Sequence, residues 1–220
     1  MTRNDVADRL AGLYTRRFLQ GYVRWKVRTD PAYGAVLEVL RGRSEPLIDV
    51  GCGVGLLAFY LREHGYTAPI IGIDFDERKI EVARIAATRY RGIDFIGGDA
   101  REPLPDRHDV VLLDVLHYFD RDSQQRILAN AARAAGPEGV IVIRQGIRDG
   151  SWRHRLTTIV DGLARVFRWM KAERLVFPAR EELLGAFDGF EAEVRPLWGN
   201  MPYNSYLFVL RRSATARRPE

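Results

Sequence analysis

Asp49-Val50-Gly51-Cys52-Gly53-Val54-Gly55 packs three glycines into five residues between two apolar runs. It closes a short apolar run, Pro46–Val50, and opens a second one, Leu56–His64, whose apolar residues fall at helical spacing and stop at Gly65. A strand that turns at once into a helix gathers free N–H groups at the turn, and glycine permits both the sharp bend and the close approach of a ligand. Glycines spaced G-x-G-x-x-G would cradle a dinucleotide pyrophosphate. Here the spacing is G-x-G-x-G, with Leu56 where the last glycine of that series belongs.

Outward from this turn the chain alternates. Ile70–Asp74 reads as a second strand, Glu77–Tyr90 as a helix, Asp94–Gly97 as a third strand and Val110–Asp114 as a fourth. A helix over Asp122–Ala134 and a fifth strand over Gly139–Arg144 follow. Near-continuous Val/Ile/Leu runs predict strands covered on both faces, as in a parallel sheet. The alternation predicts right-handed crossovers and an α/β, doubly wound sheet with helices on both faces. Residues 5–28 predict an aromatic-rich amphipathic helix or helix pair, and Asp30-Pro31 a capped start for the next helix. Residues 151–176 carry an apolar stripe among arginines, Glu191–Pro196 and Ser205–Arg211 read as a closing strand pair, and Arg211–Glu220 as a frayed tail.

Composition narrows the class. A hydrophobic fraction of 46% and a charged fraction of 29% suit a soluble globular chain. No apolar run approaches the ~20 residues needed to span a bilayer. Met1–Leu10 is polar and of mixed charge, which predicts no signal peptide, so a cytoplasmic location is expected. Cys52 is the single cysteine, which excludes an internal disulfide and a Cys-based metal cluster. The charge is unevenly spread. Residues 1–43 hold 9 basic and 4 acidic side chains, a net of +5, and residues 144–180 hold 9 and 3, a net of +6. Between them residues 44–143 hold 11 and 16, a net of −5. Two basic flanks suit an anionic partner.

Two further aspartates follow strands. Asp74 ends the second strand, where an acid can bond both hydroxyls of a ribose. Asp99, in Gly97-Gly98-Asp99-Ala100, follows the third, where a carboxylate can accept from the exocyclic amine of adenine. Asp49–Gly55, Ile73-Asp74, Gly98-Asp99-Ala100 and Val110–Asp114 together resemble the successive cofactor motifs of class I, Rossmann-type S-adenosylmethionine-dependent methyltransferases.

The resemblance covers residues 35–145 and the closing strands. It implies a seven-stranded sheet, mostly parallel with an antiparallel last strand, binding S-adenosylmethionine and releasing S-adenosylhomocysteine. The cofactor residues it implies are Asp49, Gly51, Cys52, Gly53, Gly55, Asp74, Phe75, Asp99, Ala100 and Asp114. The chain then divides into an N-terminal helical cap (1–30), a cofactor-binding core (31–144), a helical insertion (145–180), a closing helix with the strand pair (181–212) and a tail (213–220).

For the methyl acceptor, Asp114-Val115-Leu116-His117-Tyr118-Phe119 lacks the Pro-Pro of enzymes that methylate amino groups of nucleic-acid bases, which argues against nucleic acid. The same segment resembles small-molecule methyltransferases. His117 is the candidate base for an oxygen nucleophile, with packing beneath the cofactor as its other reading. Tyr14, Tyr22, Trp25, Tyr118, Trp152 and Tyr203, with His117, are the candidate acceptor pocket. Asp114 and Asp120 do not make a metal set, so no metal is expected. Tyr14–Asp30 and Pro196–Tyr206 also resemble methyltransferases of bacterial aryl-polyene and xanthomonadin-type pigment biosynthesis. That likeness implies O-methylation of an aromatic or phenolic precursor carried on an acidic acyl carrier protein, in bacterial secondary metabolism. Two alternatives stand beside it: a membrane-surface methyltransferase of a lipid or quinone, and a nucleic-acid methyltransferase.

Overall fold

A computed structural model describes residues 2–148, 175–198 and 204–213. The chain divides into two compact units, Met1–Ala100 and Arg101–Glu220.

The first unit runs α1 (Arg3–Ala11), α2 (Arg17–Thr29), α3 (Ala32–Leu40), β1 (Leu47–Val50), α4 (Leu56–Glu63), β2 (Ile70–Asp74), α5 (Glu77–Ala87) and β3 (Ile93–Gly97). The aromatic N-terminal segment is thus a helix pair. Thr2 and Asp5 open α1 by capping each other's N–H groups. The α2 helix buries Leu19, Val23 and Val27 on one face and leaves Phe18 and Trp25 exposed. Asp30 takes the Ala32 N–H at 2.9 Å, the expected cap, while its other oxygen holds Lys26 Nζ at 2.6 Å. The strands lie β3-β2-β1 and are all parallel, with Ile71 of β2 opposite both Ile48 and Asp94. At Gly72, in the central strand, a Cβ would meet the Phe95 ring at 2.4 Å and Cys52 Sγ at 2.9 Å, so only glycine lets both pack there. Helix α5 stops at Ala87 rather than Tyr90, whose ring stacks on Phe59 at 5.2 Å instead of continuing the helix.

The second unit runs β4 (Asp109–Leu113), a 3₁₀ turn (Leu116–Tyr118), α6 (Arg121–Ala134), β5 (Val140–Gly146), α7 (Arg180–Leu184), β6 (Phe190–Pro196) and β7 (Ser205–Arg212). Its strands lie β4-β5-β7-β6: β4 is parallel to β5, and β7 is antiparallel to both its neighbours. Every residue of β5 is buried. This strand runs past the expected Arg144 because Tyr206 and Ser205 of β7 pair with Gln145 and Gly146. Asp120 caps α6 by accepting the Ser123 N–H at 2.8 Å. The stripe expected over 151–176 lies outside the described residues except for Leu175 and Val176, as does the tail from 214 onward.

Candidate functional site

The first unit brings nine of the expected residues to one edge of its parallel strands. Asp49 lies in β1 and the glycine loop follows it, Asp74 ends β2 with Phe75 next, and Asp99 and Ala100 follow β3. The C-terminal edge of parallel strands is where open α/β sheets bind ligands. The loop is folded by its own backbone: Gly51 and Cys52 both donate to the Ile73 carbonyl, at 2.7 and 3.0 Å, and Gly55 donates to that of Cys52 at 3.0 Å. Gly55 sits at φ +83°, and a Cβ there would lie 2.4 Å from Phe95, so glycine is required twice over.

Asp74 does more than wait for a ligand. One carboxylate oxygen accepts the Gly53 N–H and the other the Asp76 N–H, each at 2.9 Å, which ties the loop to the end of β2. Tyr14 is buried and donates its hydroxyl to the Val54 carbonyl at 2.9 Å, bracing the loop from α1's side of the unit. Burial holds the Tyr14 phenol well above its ordinary range, so it stays a donor. Burial likewise pushes the Cys52 thiol up, which leaves it an unreactive packing group under the loop.

Asp49 is the exception to this satisfaction. Its Oδ2 is buried without a hydrogen-bond partner. Burial first, and the neighbouring Asp74 charge second, raise its pKa to about 7. A lone buried carboxylate oxygen is costly unless a donor or cation arrives. Phe75, by contrast, offers an apolar ring that is 60% exposed at the same edge. A buried carboxylate without a partner, a bonded carboxylate and an exposed apolar ring thus share one edge.

The second unit holds the other cluster. Asp114 leaves β4 at φ +59°, a left-handed conformation for a residue with a side chain. Its carboxylate is paired with the Arg144 guanidinium, and its N–H donates to the Arg144 carbonyl at 2.9 Å. His117 lies in the 3₁₀ turn, 6% exposed, its ring stacked on Phe177 at 5.3 Å and beside Tyr118 at 4.2 Å. Gln145 Nε2 reaches His117 Nδ1 at 3.1 Å and the Gly146 carbonyl at 3.1 Å. Gln124 ties the turn down from α6, donating to the carbonyls of Leu116, Phe119 and Val176 at 3.0, 3.0 and 2.7 Å. Burial lowers the His117 pKa, against the opposing pull of Asp114 and of the Gln145 bond, so the ring is neutral near pH 7.

Of the expected acceptor residues, Tyr22 is half-buried and Trp25 exposed on α2, their rings 6.5 Å apart. Tyr118 is half-buried beside His117. Trp152 and Tyr203 lie outside the described residues. Reading the sequence missed Gln124, Arg144, Gln145 and Phe177. One signal was available: Arg144-Gln145 are adjacent polar residues continuing an otherwise apolar strand.

Residues 47–139 match the family model of the methyltransferase domain. The chain is 34% identical over 102 residues to myricetin 3'-O-methyltransferase 4 of Solanum lycopersicum, a match to 46% of this chain and 26% of that protein. It is 35% identical over 86 residues to trans-aconitate 2-methyltransferase of Rhizobium rhizogenes, covering 39% of this chain and 32% of that one. The match thus spans about a quarter to a third of the length of these curated relatives. Among solved structures, magnesium protoporphyrin IX methyltransferase from Synechocystis PCC 6803, with SAH bound, superposes with a TM-score of 0.66 at 19% identity, over 95% of this chain and 94% of that one. Seven strands, mostly parallel with antiparallel last ones, and the surrounding helices place the fold in the Rossmann-like α/β class. More narrowly, the likeness over residues 47–139 is to a methyltransferase domain. Among the described residues no helix is long and apolar enough to cross a membrane.

Proposed function

We propose that the chain binds S-adenosylmethionine and methylates an oxygen atom of a small aromatic acceptor. The observation that carries the cofactor half is the buried, unpartnered Asp49 oxygen beside a loop otherwise closed by its own hydrogen bonds. The cationic amino group of S-adenosylmethionine is the donor that oxygen lacks. Asp74 keeps lone pairs for the ribose hydroxyls, since each oxygen accepts only one main-chain N–H. Phe75 covers the adenine, and Asp99 with Ala100 reads its amine edge. When bound, the cofactor supplies a methyl electrophile on a sulfonium, and the chain's task is alignment and exclusion of water.

For the acceptor, the 34% identity over 102 residues to myricetin 3'-O-methyltransferase 4 supports oxygen as the attacked atom. His117 and Tyr118 meet the acceptor. The basic flanks suit delivery by an acidic carrier protein. A second reading rests on α2, where Phe18 and Trp25 stand exposed among Arg17, Arg24 and Arg28: such a face suits an anionic membrane surface and a lipid-like acceptor.

Calorimetric titration tests the first reading. S-adenosylmethionine and S-adenosylhomocysteine are expected to bind, and NAD is not; absence of adenosyl binding would sink it. His117→Ala is expected to lower turnover by about a hundredfold, within the usual range for an acid–base or hydrogen-bonding group, and to leave cofactor affinity unchanged. Cosedimentation with anionic vesicles, lost in the doubly substituted Phe18→Ser, Trp25→Ser protein, would favour the second.

A further inference from the structure

His117 and Gln145 are both buried, and their contact limits what the imidazole can do. The Gln145 amide atom next to His117 Nδ1 is also 3.1 Å from the Gly146 carbonyl oxygen. That oxygen can only accept, so the amide atom facing it must be the NH₂. Turning the amide over would set two oxygens 3.1 Å apart with no proton between them. The NH₂ therefore also donates to His117 Nδ1, which acts as an acceptor. A neutral ring with Nδ1 accepting carries its proton on Nε2. A histidine that serves as a general base through Nε2 needs the reverse, a protonated Nδ1 held by an acceptor, as in the Ser-His-Asp arrangement.

We propose that Gln145 is a positioning residue that holds His117 in the Nε2–H tautomer, so that the ring meets the acceptor as a hydrogen-bond donor and the acceptor oxygen arrives already ionised, as a carboxylate or an acidic phenol. This rests on the reading that His117 faces the acceptor. The transfer then balances without a base. An oxygen lone pair forms the O–CH₃ bond as the S–CH₃ bond breaks, the electron pair stays on sulfur, and no proton leaves the acceptor because none was there. The Nε2–H bond is strongest before the oxygen loses its charge, so it selects and aligns the anion rather than driving the transfer. The charged groups around the ring are Asp114, following β4, and Arg144 of β5; they are paired with each other, which leaves the ring's tautomer to Gln145.

Long-range ¹H–¹⁵N spectra of the ¹⁵N-histidine-labelled protein read the tautomer directly, with His117→Asn assigning the signals. The expected state near neutral pH is Nε2–H with a bare Nδ1. Gln145→Glu replaces the donor with an acceptor and is expected to move the proton to Nδ1 and raise the pKa of the ring. A wild-type ring protonated on Nδ1 would overturn the proposal, and the wild-type spectrum decides this even if the variant fails to fold. The second arm compares phenols of one shape. Lowering the phenol pKa by two units makes it about a hundredfold more ionised below both pKa values; the weaker nucleophilicity of the more acidic phenoxide cancels part of this, so kcat/KM is expected to rise about tenfold in the wild type but far less in Gln145→Glu. Equal rates for both phenols in the wild type would overturn the substrate class. Failure of every oxygen acceptor would instead sink the O-methyltransferase reading, while the spectra still judge the tautomer.

Discussion

The two units solve opposite problems with the same edge-of-sheet chemistry. In the first, the glycine loop is closed by short main-chain bonds, Asp74 and Tyr14 brace it from two sides, and one carboxylate oxygen at Asp49 is left over. In the second, a histidine is buried against Phe177 and governed by a glutamine 28 residues away, in a cluster with an ion pair and a strained Asp114. The first arrangement suits a ligand whose shape never varies, because every donor can be fixed in advance. In the second, side chains do most of the holding, Gln124 and Gln145 fastening main-chain carbonyls and the His117 ring, and side chains can be exchanged one at a time. On the proposed function, the cofactor would be held by backbone and the acceptor by side chains.

The sharpest way to break this contrast is Asp74→Ala. It removes the acceptor for two main-chain N–H groups as well as the ribose contact, so the cofactor affinity is expected to fall by roughly a hundredfold or more, on the scale of two or three charge-assisted hydrogen bonds. Calorimetry reads this. A loss of tenfold or less would mean that the loop is held without Asp74 and that the backbone-closed description is wrong.

Asp49 gives the next effect, through pH. Its folded-state pKa of about 7 lies above the ~3.9 of an unfolded aspartate, so the folded protein binds this proton more tightly. The penalty is absent below about pH 4, grows as the pH rises to about 7 and is constant above. Without cofactor, Asp49→Asn is therefore expected to gain stability relative to the wild type between about pH 5 and pH 8, by about 2–4 kcal/mol in denaturant melts. Cofactor affinity should move the other way: in the wild type it rises several-fold over about pH 6 to 8 as the carboxylate ionises to meet the amino group, and in the variant it stays flat. A flat wild-type profile would remove Asp49 from the cofactor site.

Much of this contrast was legible in the residues. The G-x-G-x-G turn, Asp74 and Asp99 stand after successive strands, and local spacing alone gives their placement. Strand Ile70–Asp74 has the expected ends, because a run of β-branched residues bounded by Pro69 and Asp76 leaves little choice. What could not be read is packing between distant residues: Phe95 filling the space that Gly55 and Gly72 leave open, or Gln145 meeting His117 across two elements. Tyr14 shows the same limit. Its aromatic ring at helical spacing predicts an apolar wall, yet its hydroxyl reaches Val54, 40 residues on.

Tyr14 also supplies the smallest and most discriminating test. Tyr14→Phe keeps the ring, its edge-on contact with Phe59 at 6.5 Å and its burial, and removes only the hydroxyl that supports the loop. Losing that bond leaves the half-buried Val54 carbonyl short of one donor, worth about 1 kcal/mol, so the cofactor affinity is expected to drop about fivefold or the melting temperature by a few degrees. The KM for the acceptor should not move. If instead the acceptor KM rises while cofactor binding and melting stay the same, Tyr14 belongs to the acceptor wall that its sequence position suggested. Because the substitution changes one atom and no charge, either outcome separates bracing from recognition without disturbing the aromatic packing between Tyr14 and Phe59.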